Sequence, residues 1–232
     1  MSESRCWGVI PAAGSGSRMA AGLPKQYLEV AGKPLIRHAL EALLQLPDIA
    51  GVCVAVQAGD HRARALASEP RARLIHGGAT RADSVLAALG ALAEQAAPQD
   101  WVLVHDAARP CLSQDDLQGL VERVRSTATG ALLALPVVDT LKRVDARGRV
   151  QATVPRADLW RAQTPQMFRL GELKLALERA LAAGVEVTDE ASAMEWAGHP
   201  VQVVAGNPRN IKVTVPADLA LARLYLTEAA TA

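Results

Sequence analysis

The sequence predicts an α/β protein built on a mostly parallel, twisted sheet with helices on both faces, plus a β-hairpin that protrudes from it. Three observations carry that prediction. Up to residue 135, strand-like and helix-like segments alternate, the pattern of a parallel sheet with crossover helices. The strand-like segments, such as 52–56 (VCVAV) and 101–104 (WVLV), are continuous apolar runs, as strands covered on both faces require. After Pro136 the alternation stops and a pair of polar extended segments takes its place. The first part is thus Rossmann-like, and its ligand site belongs at the carboxyl ends of the strands.

Taken in order, the apolar run 7–10 reads as a buried first strand. It opens into the loop 11–28, PAAGSGSRMAAGLPKQYL, whose small side chains let a ligand lie on the backbone with N–H groups aimed at phosphate oxygens. A helix follows from Pro34, a residue suited to a first turn, with Leu35, Ile36, Ala39, Leu40 and Leu43 on one face. Residues 52–56 give a strand, 60–67 a helix, 72–75 a strand, and 81–93 a helix with Val85, Ala88, Leu89 and Leu92 in register. Residues 101–104 form a strand, 113–125 a helix capped by Ser113, and 131–135 a strand.

From 137 to 155 the chain reads as two polar strands around Asp145-Ala146-Arg147-Gly148, with Gly148 supplying a positive φ. Val138, Val144, Val150 and Val154 give this hairpin only a thin apolar stripe. A lone two-stranded hairpin is marginal in water, so the body of the chain or another copy must cover it. Helices at 170–183 and 189–197, strands near 201–204 and 211–213, and a last helix from Pro216 capped by Thr214 complete the chain. Thr188 reads as the N-cap of the 189–197 helix. No repeat, low-complexity segment or linker intervenes, so residues 1–232 are expected to be one domain.

The bulk composition narrows the function. A net charge of +1 argues against global attraction to nucleic acid or membrane, so anion affinity must come from local clusters. Aromatic residues make up 3% of the chain, too few for a base-stacking platform, and nucleic acid is not an expected partner. Cys6, Cys53 and Cys111 are odd in number and lack C-x-x-C spacing, which fits reduced thiols. The N-terminal MSESRCWG has no apolar stretch of signal-peptide length, and no run is long enough to span a membrane. The expectation is a cytoplasmic protein without a membrane partner.

Chemistry is expected in three clusters. The first is the glycine loop, which contains no Gly-Lys-Ser/Thr of the Walker kind. Gly14-Ser15-Gly16-Ser17-Arg18-Met19 places methionine where a dinucleotide fingerprint needs its third glycine, and Gly22 and Pro24 oppose an immediate helix. No acidic residue closes the second strand, so a dehydrogenase is not expected. A tight turn accounts for the glycines but not for Arg18 and Lys25 beside them, and the loop reads as a triphosphate cradle. The second cluster, 104–110 (VHDAARP), follows a central strand. Asp106 there either opens a turn toward Pro110 or anchors Mg²⁺, and its place opposite the glycine loop favours the metal. His105 reads as a packed residue. In the third, 77–85 (GGATRADSV), Asp83 and Ser84 fall in a first helical turn, where they either cap the helix or read a nucleobase edge.

Of the late cations Lys142, Arg156, Arg161 and Lys212, each alone reads as a solvated charge. Lys212 stands apart because it sits in an apolar stretch near the expected active edge. No Ser/His/Asp set, zinc spacing or carboxylate pair is evident. That absence suits a phosphomonoester acceptor, which is largely dianionic at neutral pH, with a second pKa near ~6, and needs positioning rather than a general base.

With these residues in view, the chain resembles the 2-C-methyl-D-erythritol 4-phosphate cytidylyltransferases over nearly its whole length. PAAGSGSRM and PKQYL match that family's nucleotide loop, and RADSV, VHDAARP, PVVDTLK, QTPQ, TDEA and NIKVT occur in the family's order. The resemblance implies a nucleotidyltransferase that uses CTP, methylerythritol phosphate and Mg²⁺ or another divalent cation. It implies that Arg18 and Lys25 stabilise the transition state at the α-phosphorus, that Pro11, Ala12, Ala13, Gly14, Ser15 and Gly16 hold the nucleotide, and that Gly77, Asp83 and Ser84 contact cytosine or ribose. It further implies that Asp106 binds the metal, and that Arg156 and Lys212 orient the acceptor, with Arg109, Asp139, Thr140 and Thr188 near it. A homodimer joined through residues 137–158 is implied as well. Two other readings remain open on sequence: a ribitol 5-phosphate or related sugar-phosphate nucleotidyltransferase, which shares the loop and lysine, and a non-catalytic nucleotide-binding protein.

Overall fold

A computed structural model describes residues 4–14 and 23–229. In chain order its strands are β1 (Cys6–Ala12), β2 (Glu29–Val30), β3 (Lys33–Pro34), β4 (Ile49–Val56), β5 (Ala72–His76), β6 (Trp101–Val104), β7 (Ala131–Pro136), β8 (Leu141–Val144), β9 (Val150–Val154), β10 (Trp160–Arg169) and β11 (Gln202–Ala205). Its helices are α1 (Leu35–Leu44), α2 (Arg81–Leu92), α3 (Gln114–Thr127), α4 (Leu170–Ala182), α5 (Glu190–Trp196) and α6 (Pro216–Ala229). Seven strands form one sheet in the order β11-β7-β10-β6-β1-β4-β5. All neighbours run parallel except β10, which is antiparallel to both β6 and β7.

The continuous apolar runs are explained by two cores, one on each face. Ile10, Val54 and Leu103 point toward Ile36, Leu40 and Leu43 of α1 and Leu117, Leu120 and Val124 of α3. Val9, Cys53, Val102 and Val104 point the other way, toward Val85 and Leu89 of α2, Leu173 and Leu177 of α4 and Met194 of α5. A side chain on either face is therefore removed from water, each large one contributing about 1.5–3 kcal/mol. A smaller core of Val30, Leu35, Val213 and Ala222 seats α6 against the ribbon β2–β3. Ser113 caps α3 as predicted, accepting from the Asp116 N–H at 3.1 Å.

Four predictions need correction, and one strand lay outside them. The segment 60–67 forms a 3₁₀ helix, His61–Ser68, with Asp60 as its cap. The segment 211–213 is not a strand: Val213 N–H bonds Ala108 C=O at 2.8 Å, and no ladder continues it. β10 was not legible because Arg161, Gln163, Pro165 and Gln166 break any apolar run, and its register slips between Ala162 and Gln166. Thr214 does not cap α6. Instead the Asp218 carboxylate accepts from the Thr214 and Val215 N–H groups and the Thr214 hydroxyl. Thr188 does not cap α5 either: Asp189 does, accepting from Ser192 N–H at 2.9 Å.

The hairpin forms as predicted, with β8 and β9 paired antiparallel as a separate ribbon and Gly148 at φ +76. Most of its stripe is uncovered within the chain, Val138 being 70%, Val144 51% and Val150 62% exposed, while Val154 is half-buried.

Candidate active site

The parallel register sets the site. Ala12 at the end of β1 pairs with Val56 of β4, and Val9 pairs with Val104 of β6, so the residues after β1, β5 and β6 leave the sheet at one edge. A cavity of about 350 Å³ opens there, within the size range of ligand sites. Pro11, Ala12, Ala13, Gly14 and Lys25 form one wall, Gly78–Arg81 with Ser84 another, and Asp106–Ala108, Lys212 and Thr214 complete it. Gln26, buried and also lining the cavity, ties the loop down: its amide donates to Ala12 C=O at 2.8 Å and Gly14 C=O at 3.2 Å. Lys25 Nζ reaches Val213 C=O at 3.4 Å, spanning from the glycine loop to the segment that carries Lys212.

Asp106 is the electrostatic centre. It is buried, and three cations surround it: Arg81 Nε at 3.0 Å and Lys212 Nζ at 2.8 Å on separate oxygens, with Arg109 Nε at 3.8 Å. Burial alone would raise its carboxyl, but Arg81, Lys212 and Arg109 outweigh burial and hold it well below the usual carboxylate range. Arg81 also forks onto the buried Glu190, Nη1 to Oε1 at 2.7 Å and Nη2 to Oε2 at 3.1 Å. Burial pushes the Glu190 carboxyl up, against the pull of Arg81.

His105 next to it is packed, as predicted. Its Nε2 lies 3.0 Å from Arg109 C=O, which only accepts, so Nε2 carries the proton and Nδ1 takes the Thr164 hydroxyl at 3.0 Å. Burial lowers its pKa to about 4, and the ring stays neutral. Thr164 Oγ1 in turn accepts from the Asp106 N–H at 3.0 Å, so β10 braces the turn that presents the carboxylate.

The expected site residues separate into groups. Pro11, Ala12, Ala13, Gly14, Lys25, Ser84, Asp106 and Lys212 come together around the cavity. Gly77 lies against its rim, where a Cβ would fall 2.6 Å from Ala13 Cβ and 2.8 Å from Ser84 Oγ, so only glycine permits that approach. Asp83 completes a capping box, accepting from the Thr80 N–H and hydroxyl. Arg109 turns into the protein, donating to Asn210 C=O at 2.7 Å. Asp139, Thr140 and Arg156 sit exposed on the hairpin, Arg156 donating to Val138 C=O, and Thr188 is exposed before α5. Ser15, Gly16 and Arg18 lie outside the described residues. Arg81, Gln26, Glu190 and Thr164 are additions. An arginine in the first turn of a helix, against the helix dipole, is the one signal in the sequence that could have singled out Arg81.

A backbone loop and two lysines gathered with a carboxylate at the strand ends of a largely parallel sheet define an α/β nucleotidyltransferase. A family model described as 2-C-methyl-D-erythritol 4-phosphate cytidylyltransferase (IspD) matches residues 7–228. The chain is 55% identical to the 2-C-methyl-D-erythritol 4-phosphate cytidylyltransferase of Ectopseudomonas mendocina (strain ymp), over 95% of both chains. It is 52% identical to the protein so named in Vibrio vulnificus (strain YJ016), covering 94% of this chain and 93% of that one. A solved 4-diphosphocytidyl-2C-methyl-D-erythritol synthase superposes with a TM-score of 0.86 at 38% identity, over 97% of this chain and all of that one. The chain belongs to the 2-C-methyl-D-erythritol 4-phosphate cytidylyltransferase family.

Proposed function

We propose that the chain transfers the cytidylyl group of CTP to 2-C-methyl-D-erythritol 4-phosphate, releasing 4-diphosphocytidyl-2-C-methyl-D-erythritol and pyrophosphate in non-mevalonate isoprenoid synthesis. An oxygen of the acceptor phosphate bonds to the α-phosphorus. The bond from that phosphorus to the oxygen bridging toward the β-phosphorus breaks, and its electron pair leaves with pyrophosphate. The observation that carries this reading is the convergence of Lys25, Lys212 and an ionised Asp106 on one cavity beside the glycine loop. Asp106 is the only carboxylate among the described residues that line the cavity, and it is salt-bridged; His105 has both nitrogens engaged. No described group is placed as a general base, which suits an acceptor that is already anionic.

In this reading Lys25, with Arg18, neutralises charge developing at the α-phosphorus. The backbone from Pro11 to Gly16 holds the triphosphate, and Ser84, with Gly77 and Asp83, borders the base or ribose. Lys212 and, from the hairpin, Arg156 orient the acceptor phosphate, with Arg109, Asp139, Thr140 and Thr188 near it. A divalent cation such as Mg²⁺ fits the donor set in one way. No group of three or more candidate metal ligands occurs among the described residues, so Asp106 would supply one carboxylate oxygen and the triphosphate most of the rest. Bound there, the cation supplies charge neutralisation and a fixed phosphate geometry.

The exposed valines of the hairpin support residues 137–158 as a dimerisation arm on the single domain 1–232, with Arg156 reaching a partner's cavity. No helix among the described residues is long and apolar enough to cross a membrane, in keeping with a cytoplasmic setting. The test is pyrophosphate release with methylerythritol phosphate and with ribitol 5-phosphate, each across the four NTPs. The reading expects CTP with methylerythritol phosphate to dominate. Preference for ribitol phosphate would replace the acceptor, and no release with any pair would refute transfer altogether.

A further inference from the structure

Arg81 lines the cavity, yet the chemistry above gives it no task. It is the first residue of α2, where positive charge opposes the helix dipole, so helix stability does not account for it. Its guanidinium spends Nε on Asp106 Oδ1 and both terminal nitrogens on Glu190, a residue only 1% exposed that does not line the cavity. Both carboxylates of this chain are buried and the Arg81 side chain is 29% exposed, so the chain recovers little of its desolvation cost, and apolar side chains would fill much of that space at least as well. What the chain does supply is geometry. The fork fixes the guanidinium in its plane, and Nε then holds Asp106 by one oxygen. The other oxygen, Oδ2, is held by Lys212, whose side chain is 41% exposed on a flexible stem, with the buried Arg109 Nε behind it at 3.8 Å.

We propose that Arg81 and Glu190 are a positioning pair that pins Asp106 by Oδ1 and presents Oδ2 to the divalent cation of an incoming cation–nucleotide complex. The complex displaces Lys212 from Oδ2 as it binds. The lysine is thus stored on the carboxylate that the cation takes over, and is released to orient the acceptor phosphate only once the nucleotide is bound. This rests on the reading of Asp106 as the cation's carboxylate. Arg81→Lys offers a point charge with no fork, and Glu190→Gln removes the charge that holds the fork. Either change leaves the Asp106 carboxylate unaimed.

The test is calorimetric titration of CTP into the protein in Mg²⁺ and again in EDTA, the ratio of the two Kd values giving the cation-dependent gain. Arg81→Lys and Glu190→Gln are expected to lose about 10- to 100-fold of that gain, the range for groups that orient a metal ligand, while the affinity in EDTA holds. A pair that merely braces the fold lowers Tm and leaves the gain at its parental value, which would overturn the proposal. If the parent shows no gain, the metal role of Asp106 fails and the positioning pair fails with it. Should Arg81→Lys not fold, the nearly isosteric Glu190→Gln carries the test.

Discussion

His105 ties the stability of the fold to pH, and its surroundings set the size of the effect. The ring is fully buried between Arg109 C=O and the Thr164 hydroxyl, and stays neutral down to a pKa of about 4. In the unfolded chain it protonates near 6.5. Between these values the unfolded state binds more protons, so stability is level above pH 6.5 and falls as the pH drops toward 4. The full window is worth roughly 3 kcal/mol, and at pH 5 about 2 kcal/mol of it is gone. Asp106 does not blur the window: its carboxyl is held low, so its own contribution is lost only at more acid pH. Urea unfolding at pH 7 and pH 5, at one fixed protein concentration, measures the loss. With a slope near ~3 kcal/mol per M, the midpoint should fall by roughly 0.7 M. In His105→Gln the amide can still donate to Arg109 C=O and accept from Thr164, but it does not titrate, so most of the fall should vanish. The comparison also cancels Glu190, whose raised carboxyl pulls the other way. A parent midpoint unchanged at pH 5, or a glutamine variant as acid-sensitive as the parent, would refute the reasoning.

Two predictions concern catalysis. Lys25→Ala should keep the parental circular dichroism and Tm yet lose about 10²–10³-fold in kcat, the usual cost of removing one preorganised transition-state donor. Wild-type turnover in that variant would sink its assigned role. Mixing Arg156→Ala subunits with Lys25→Ala subunits should restore part of the activity, because each mixed dimer then holds one cavity with both cations. Absence of recovery in dimers verified as mixed would count against Arg156 acting across an interface.

Much of the molecule is legible in the residues alone. A strand buried on both faces has to be apolar throughout, so 52–56 and 101–104 announced themselves. Ser113 declared the start of α3 because an orphan N–H needs an acceptor within reach. The glycine loop, with Lys25 beyond it, pointed to a ligand site because small residues and a nearby cation have few other joint uses, and residues 11–14 and Lys25 do line the cavity. The hairpin showed its need for cover through the imbalance between its length and its apolar stripe. These are local constraints, each satisfied within a few residues of chain.

Contacts that join distant parts of the chain were decided by the tertiary structure. β10 is written in polar residues that look like a loop, and it becomes a strand because the slot between β6 and β7 offers its backbone partners on both sides. Lys212 reaches the cavity on an unpaired segment held by Ala108, not on the strand its apolar neighbours suggest. Arg81 and Glu190 are 109 positions apart, and nothing in either neighbourhood names the other. Periodicity and capping report what a residue needs from its near neighbours, whereas an ion pair between the first turns of two helices exists only once the topology has brought both to the same edge. The loop that announces a nucleotide is therefore sequence-encoded, and the aim of the carboxylate opposite it belongs to the fold.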